Sequence, residues 1–195
     1  TGNNSMKLYG STTSPYVRRI RLFLSGKDYE FINMDIFAGP GRELLRAKNP
    51  ALKVPMLEDG ELIIYDSRVV FRYLSEKFAQ APLSWPEENR LTLIDAANDT
   101  FVQLMMLKRS DIANQPDKLF FKLNNERIDT LLTTLSAEVE AGHFAQWDYP
   151  AICLFCLLDW VAFRELASFD AYPALQAFWQ QQHTQADIAS TDPRV

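Results

Sequence analysis

Thiols and imidazoles are scarce in this chain. Its 195 residues include two Cys and two His. His143 and His183 stand far apart with no neighbouring ligand pattern, so no metal site is expected. Cys153 and Cys156 read formally as Cys-x-x-Cys, yet they lie inside an apolar helical run with no second pair for zinc. They are expected as packed core, free thiols of a reducing cytoplasm. A basic excess is also missing: 20 Lys+Arg against 25 Asp+Glu leave a net charge of −5, which argues against a general nucleic-acid binder. No apolar run reaches the length of about 18 residues that a membrane span needs. Thr1-Gly2-Asn3-Asn4-Ser5 lacks the apolar core of a secretion signal and reads as a cloning remnant ahead of Met6. There is no internal repeat and no low-complexity tract. What remains is an ordinary globular composition, 47% hydrophobic and 23% charged, enough for one large domain or two small ones.

The pattern divides the chain in two. Met6–Gly10 reads as a strand. Ser11-Thr12-Thr13-Ser14 is a hydroxyl-rich turn, and Pro15 suits the first position of a helix capped by Ser14. Val17, Ile20, Phe23 and Leu24 give that helix its apolar face as far as Lys27. Tyr29–Met34 predicts a second strand and Arg42–Lys48 a short helix. Val54–Leu57 and Leu62–Tyr65 flank Asp59-Gly60, a hairpin signal. Val69, Val70, Tyr73 and Leu74 then predict a helix to Phe78. The order β-α-β-α-β-β-α implies a mixed sheet covered by helices, because parallel neighbours need helical crossovers. Residues 80–86 hold two prolines and read as a linker. Beyond it the strand signals stop. Amphipathic helices are expected over Glu87–Asp111 and Asp117–Ala141. An apolar, buried helix follows Asp148, and one more spans Tyr172–Gln182. The tail from Ala186 is expected to be irregular.

The chemistry gathers around Asn49–Arg68. A cis bond before Pro55 would turn the Val54 N–H and C=O outward, free for a ligand. Asp66 is placed to cap the next helix, whose N-terminus attracts anions. At the first helix, Ser14-Pro15-Tyr16-Val17 carries no thiol, so dithiol exchange is disfavoured. A hydroxyl there could instead donate a hydrogen bond to a bound thiolate and lower its pKa. Ser14 leads for this role; Thr13 and Ser11 are rivals. Arg18, Arg19 and Arg21 form a basic cluster expected on a solvated face, with acid-substrate or partner binding as the alternative.

The segment Val54-Pro55-Met56-Leu57, then Asp59-Gly60 and Asp66-Ser67, resembles the glutathione half-site of the glutathione S-transferase family. Asn49-Pro50-Ala51-Leu52-Lys53 departs from the family's usual Asn-Pro-x-Gly-Lys by Leu52 in place of Gly. The resemblance covers nearly the whole chain. It implies a thioredoxin-like N-terminal domain over residues 6–79 and an all-helical domain over 87–195. It further implies that Lys53, Val54, Pro55, Asp66 and Ser67 hold glutathione as co-substrate, with no metal. The activity implied is conjugation of glutathione to a small apolar electrophile, a detoxification chemistry, by a cytoplasmic homodimer. The electrophile is expected against Tyr16, Met105, Met106 and Arg109, in a cleft between the domains. Two other readings stay open. One is a non-catalytic interaction protein of the same fold, like the stringent starvation protein A group. The other is a glutathione-dependent isomerase or dehalogenase.

Overall fold

The computed structural model describes residues 6–195; the reading of Thr1–Ser5 lies outside them. By internal contacts the chain forms two compact units, one holding the residues up to Pro82 together with Thr184–Val195, the other Leu83–His183.

The first unit is a four-stranded mixed sheet with three helices. Its elements are β1 (Met6–Gly10), α1 (Pro15–Phe23), β2 (Tyr29–Asn33), α2 (Gly39–Lys48), β3 (Met56–Asp59), β4 (Leu62–Tyr65) and α3 (Ser67–Lys77). The strand order is β2-β1-β3-β4. β1 runs parallel to β2 across the α1 crossover, and β3 is antiparallel to both β1 and β4. Side chains alternate across the pleat. Tyr9 and Met56 therefore share one face, where they pack with Met34 and with Leu45 of α2. Leu8 points to the other face and is fully buried. Gly10 lies on that same face, where α1 passes so close that a Cβ would stand 2.5 Å from Val17 Cγ1. The central strand β1 is thus buried on both faces, with Leu8 on one and Tyr9 on the other.

The second unit is helical: α4 (Trp85–Arg109), α5 (Leu119–Glu140), α6 (Tyr149–Phe163) and α7 (Pro173–Gln181), closed by a 3₁₀ turn at Gln182–Thr184. The linker read over 80–86 ends earlier than expected, because Ser84 and Glu87 form a capping box and Pro86 sits in the first turn of α4. α5 begins at Leu119 rather than near Asp117. α6 is apolar all round; Cys153 and Cys156 are 0% and 1% exposed in it. Asp148 caps α6 through the Ala151 N–H at 3.1 Å.

Two expectations are corrected by packing. The tail is irregular, but it belongs by contacts to the first unit, not to the helical one. Arg18 holds it there, donating from Nε to Thr191 Oγ1 at 3.0 Å and from Nη2 to the Ile188 carbonyl at 2.9 Å. The arginine cluster of α1 is accordingly no solvated face: Arg18 and Arg19 are 4% and 1% exposed, and the Arg21 guanidinium lies 4.1 Å from the Phe31 ring centroid. A three-residue spacing of charges cannot show that a distant segment will cover them.

Gly10→Ala forces Val17 and α1 away from the sheet. Overpacking of this kind costs about 1–3 kcal/mol, so urea unfolding should show that loss; unchanged stability would mean that α1 does not press on β1 as described.

Candidate functional site

The strand register gathers the segments singled out by sequence. β1 and β3 pair antiparallel with Tyr9 opposite Met56. The chain leaving β1 and the chain entering β3 therefore emerge at the same end of the sheet. β3 and β4 pair with Met56 opposite Tyr65, so the exit from β4 joins them. Ser11–Ser14, Lys53–Pro55 and Asp66–Ser67 converge at that one end.

Each segment has its own local cause. The turn after β1 is held by its own hydroxyls. Ser11 Oγ and Thr13 Oγ1 are 3.1 Å apart, Ser11 Oγ also accepts the Thr13 N–H at 3.3 Å, and Asn33 Oδ1 accepts the Thr12 N–H at 3.3 Å. Ser14 caps α1, its Oγ accepting the Val17 N–H at 3.2 Å. Capping uses an oxygen lone pair and leaves the hydroxyl proton for another acceptor.

The Val54–Pro55 peptide is cis, as the sequence reading expects. β3 begins only at Met56, so the Val54 N–H and C=O stand outside the ladder. The loop before them turns on Asn49, which is 1% exposed. Its Nδ2 donates to the Lys53 carbonyl and its Oδ1 accepts the Ala51 N–H, both at 2.9 Å. These bonds hold Leu52 at φ 57°, a left-handed conformation that costs a non-glycine residue about 1–2 kcal/mol. Lys53 is exposed beside it. Asn49 was missed as a positioning residue; a buried amide bonding its own loop has no signature beyond the Asn-Pro pair.

Asp66 holds the N-cap position of α3, but its side chain makes no capping hydrogen bond, which corrects the expected cap. Its φ of 74° with ψ 132° is rare outside glycine, and its side chain is exposed. Ser67, the first residue of α3, is 4% exposed.

The remaining residues divide between the units. Tyr16 is half-buried in α1 of the first unit with the Arg19 guanidinium 5.1 Å over its ring. In the second unit Met105 is half-buried, and Met106 and Arg109 are exposed on α4. Among the described residues no group of three or more His, Cys, Asp or Glu side chains could hold a metal ion, and no helix is long and apolar enough to cross a membrane.

A charged cluster anchors the loop where it leaves α2. Lys48 Nζ donates to Glu58 Oε1 at 2.7 Å, and the Tyr9 hydroxyl donates to Oε2 at 3.1 Å. Tyr65 clamps the same turn, its hydroxyl donating to the Lys48 carbonyl at 3.1 Å. The Lys48 ammonium holds the Glu58 carboxyl below its ordinary value, against the opposing pull of burial. Burial first, and then Glu58, push the Tyr9 phenol up.

The model of the glutathione S-transferase N-terminal domain matches residues 8–82. A probable glutathione S-transferase of Oryza sativa subsp. japonica is 26% identical over 89% of this chain and 89% of that protein. Glutathione S-transferase 1 of Dianthus caryophyllus is 39% identical over 40% of this chain and 37% of that protein. Among solved structures, a glutathione S-transferase of Methylobacillus flagellatus with glutathione bound superposes with a TM-score of 0.83 at 23% identity, over 97% of this chain and all of that one. A glutathione transferase family member of Pseudomonas fluorescens with bound glutathione gives 0.75 at 26% identity, over 98% of this chain and all of that one.

Glu58 contributes stability above the unfolded carboxylate value of about 4.3 and loses it as pH falls through its lowered native value. Glu58→Gln should therefore be less stable than wild type at pH 7, and the gap should close towards pH 3. A gap of constant size across that range would mean the carboxylate charge plays no part.

Proposed function

We propose that this chain, whose residues 8–82 match the glutathione S-transferase N-terminal domain, is a member of that family, binds glutathione along the sheet end where Ser11–Ser14, Lys53–Pro55 and Asp66–Ser67 converge, and conjugates its thiolate to a small electrophile. The observation that carries this reading is the Ser14 hydroxyl, whose oxygen caps α1 while its proton stays available at the helix N-terminus. The similar glutathione transferases of Methylobacillus flagellatus and Pseudomonas fluorescens hold bound glutathione in their solved structures.

The roles follow from chemistry. The Val54 N–H and C=O pair with the cysteinyl backbone, as an added strand would. The Lys53 ammonium faces the glycyl carboxylate. Asp66 takes the γ-glutamyl ammonium, and Ser67 at the start of α3 takes its carboxylate. A strained backbone at Asp66 with no capping bond to explain it is the kind of outlier that marks a ligand contact. With the sulfur before α1, the Ser14 O–H donates to it. That bond and the positive end of α1 favour thiolate over thiol. The proton leaves to water, and the thiolate forms the new S–C bond as the electrophile's leaving group departs or its double bond accepts the electron pair. Thr13 and Ser11 rank behind Ser14, because their hydroxyls already bond one another.

The apolar Leu62, Tyr65 and Val69 of β4 and α3 are 51%, 40% and 46% exposed, and they are read here as the contact face of a homodimer. Sedimentation should give twice the chain mass for the wild type and a monomer for Val69→Asp; a wild-type monomer would remove this part of the reading.

Millimolar glutathione should raise the melting temperature, because binding to the native state alone stabilises it. No shift would favour the non-catalytic interaction protein. Loss of a hydrogen bond to a charged sulfur is worth about 1.5–3 kcal/mol, so Ser14→Ala should lower turnover with a generic aromatic electrophile at least tenfold. Ser14→Asp keeps an N-cap and lacks the donor; it should melt as wild type and be equally slow. Full activity in Ser14→Asp would pass the role to Thr13 or Ser11.

A further inference from the structure

Helix α1, which Ser14 caps, is gripped on three sides. Val17 presses on β1 at Gly10, where a Cβ would stand 2.5 Å from Val17 Cγ1. The Phe23 ring meets Phe71 of α3 edge-on, with centroids 5.0 Å apart. Arg18 meets the tail, where Ile188 and Thr191 are 3% and 5% exposed. At about 100° per residue, Val17, Arg18 and Phe23 point in three well-spread directions round the helix. The first two contacts are apolar and therefore non-directional; they resist separation better than sliding. The third is made of hydrogen bonds, which do have direction.

The tail turn presents two oxygens to Arg18. Nη2 donates to the Ile188 carbonyl at 2.9 Å and Nε to Thr191 Oγ1 at 3.0 Å. The Thr191 hydroxyl in turn donates to the Asp187 carbonyl at 2.6 Å, and the Thr191 N–H donates to the same carbonyl at 3.0 Å. One hydroxyl thus receives the guanidinium and closes its own turn. The rigid fork of an arginine fixes a position as a flexible ammonium would not. Arg18 stands four residues after Ser14, and its N–H donates to the Ser14 carbonyl at 3.1 Å. A shift of Arg18 along the axis is therefore also a shift of Ser14.

We propose that Arg18 and Thr191 are positioning residues for the Ser14 hydroxyl. The tail turn fixes α1 along its axis, and with it the place where the Ser14 donor meets the sulfur. This rests on the glutathione reading above and adds to it a task for the tail. A hydrogen bond weakens steeply as its geometry degrades, and misplacing a group by about 1 Å can cost about 100-fold in rate. The groups assigned to the rest of glutathione, Lys53, Val54, Asp66 and Ser67, lie before β3 and at the start of α3. They are not carried by α1, so the tail acts on the chemistry of the thiol and not on affinity.

The test uses the full chain and measures three quantities. Calorimetry gives glutathione affinity, thiolate ultraviolet absorbance gives the pKa of the bound thiol, and a generic aromatic electrophile gives turnover. T191V keeps the side-chain shape and loses the acceptor. It should bind glutathione within about twofold of wild type, raise the pKa of the bound thiol, and turn over about tenfold more slowly. R18K, which keeps the charge but not the fork, should behave alike, and T191S should restore wild-type values. In the Ser14→Ala background T191V should cost nothing further, because residues acting through one group are not additive. An equal loss in both backgrounds would make the tail merely structural and overturn the proposal. So would wild-type turnover and thiol pKa in T191V where Ser14→Ala is slow. Ser14→Ala as fast as wild type would leave no hydroxyl to position and overturn it too. A wild type that does not bind glutathione would remove the glutathione reading itself, and the proposal with it.

Discussion

The row Tyr9–Met56–Tyr65 across β1, β3 and β4 is the constraint on which the site depends. Because β3 is antiparallel to both neighbours, this one row fixes which loops emerge together. Slipping β3 by one residue would turn its side chains to the opposite faces. Met56 would leave the core it shares with Tyr9, Met34 and Leu45, and Val54–Pro55 would no longer stand level with the turn after Gly10. Burial on both faces thus fixes the register, and the register assembles the site.

Within that frame the chain uses single groups for two tasks. The Ser14 oxygen terminates α1 while its proton is left to face outward chemistry. Lys48 neutralises Glu58 and also begins the loop that Asn49 shapes. Asn49 uses both ends of a buried amide on Ala51 and Lys53, which keeps Leu52 in a conformation its side chain disfavours. Asp66 is the opposite case: it sits at a helix start without capping it, on a backbone that only surrounding structure can hold.

Charge burial separates the two units in character. In the first, Arg18 is matched by the protein's own oxygens where it ties down the irregular tail. In the second, α6 is a nearly featureless apolar rod whose polar groups sit near its ends: Asp148 satisfied by a backbone N–H, and Asp159 by the Trp179 indole at 3.0 Å. The Arg164 Nε, just past its last turn, is shut off from solvent with no hydrogen-bond partner.

Much of this was legible beforehand. Hydrophobic period and punctuation gave every strand and helix of the fold, since those patterns follow from local backbone geometry. Proline and hydroxyl positions gave the start of α1, and Val54-Pro55 with Asp66-Ser67 marked a candidate site by family resemblance. Boundaries slipped where capping chemistry outranked polarity, as at Ser84–Glu87. The amino-acid order by itself thus determined the elements and the candidate groups. Tertiary structure alone decided that the Arg18 and Arg19 side chains are buried, that the tail joins the first unit and that Asp66 does not cap. Each of these depends on what a distant segment brings to the residue, and one-dimensional spacing carries no information about that.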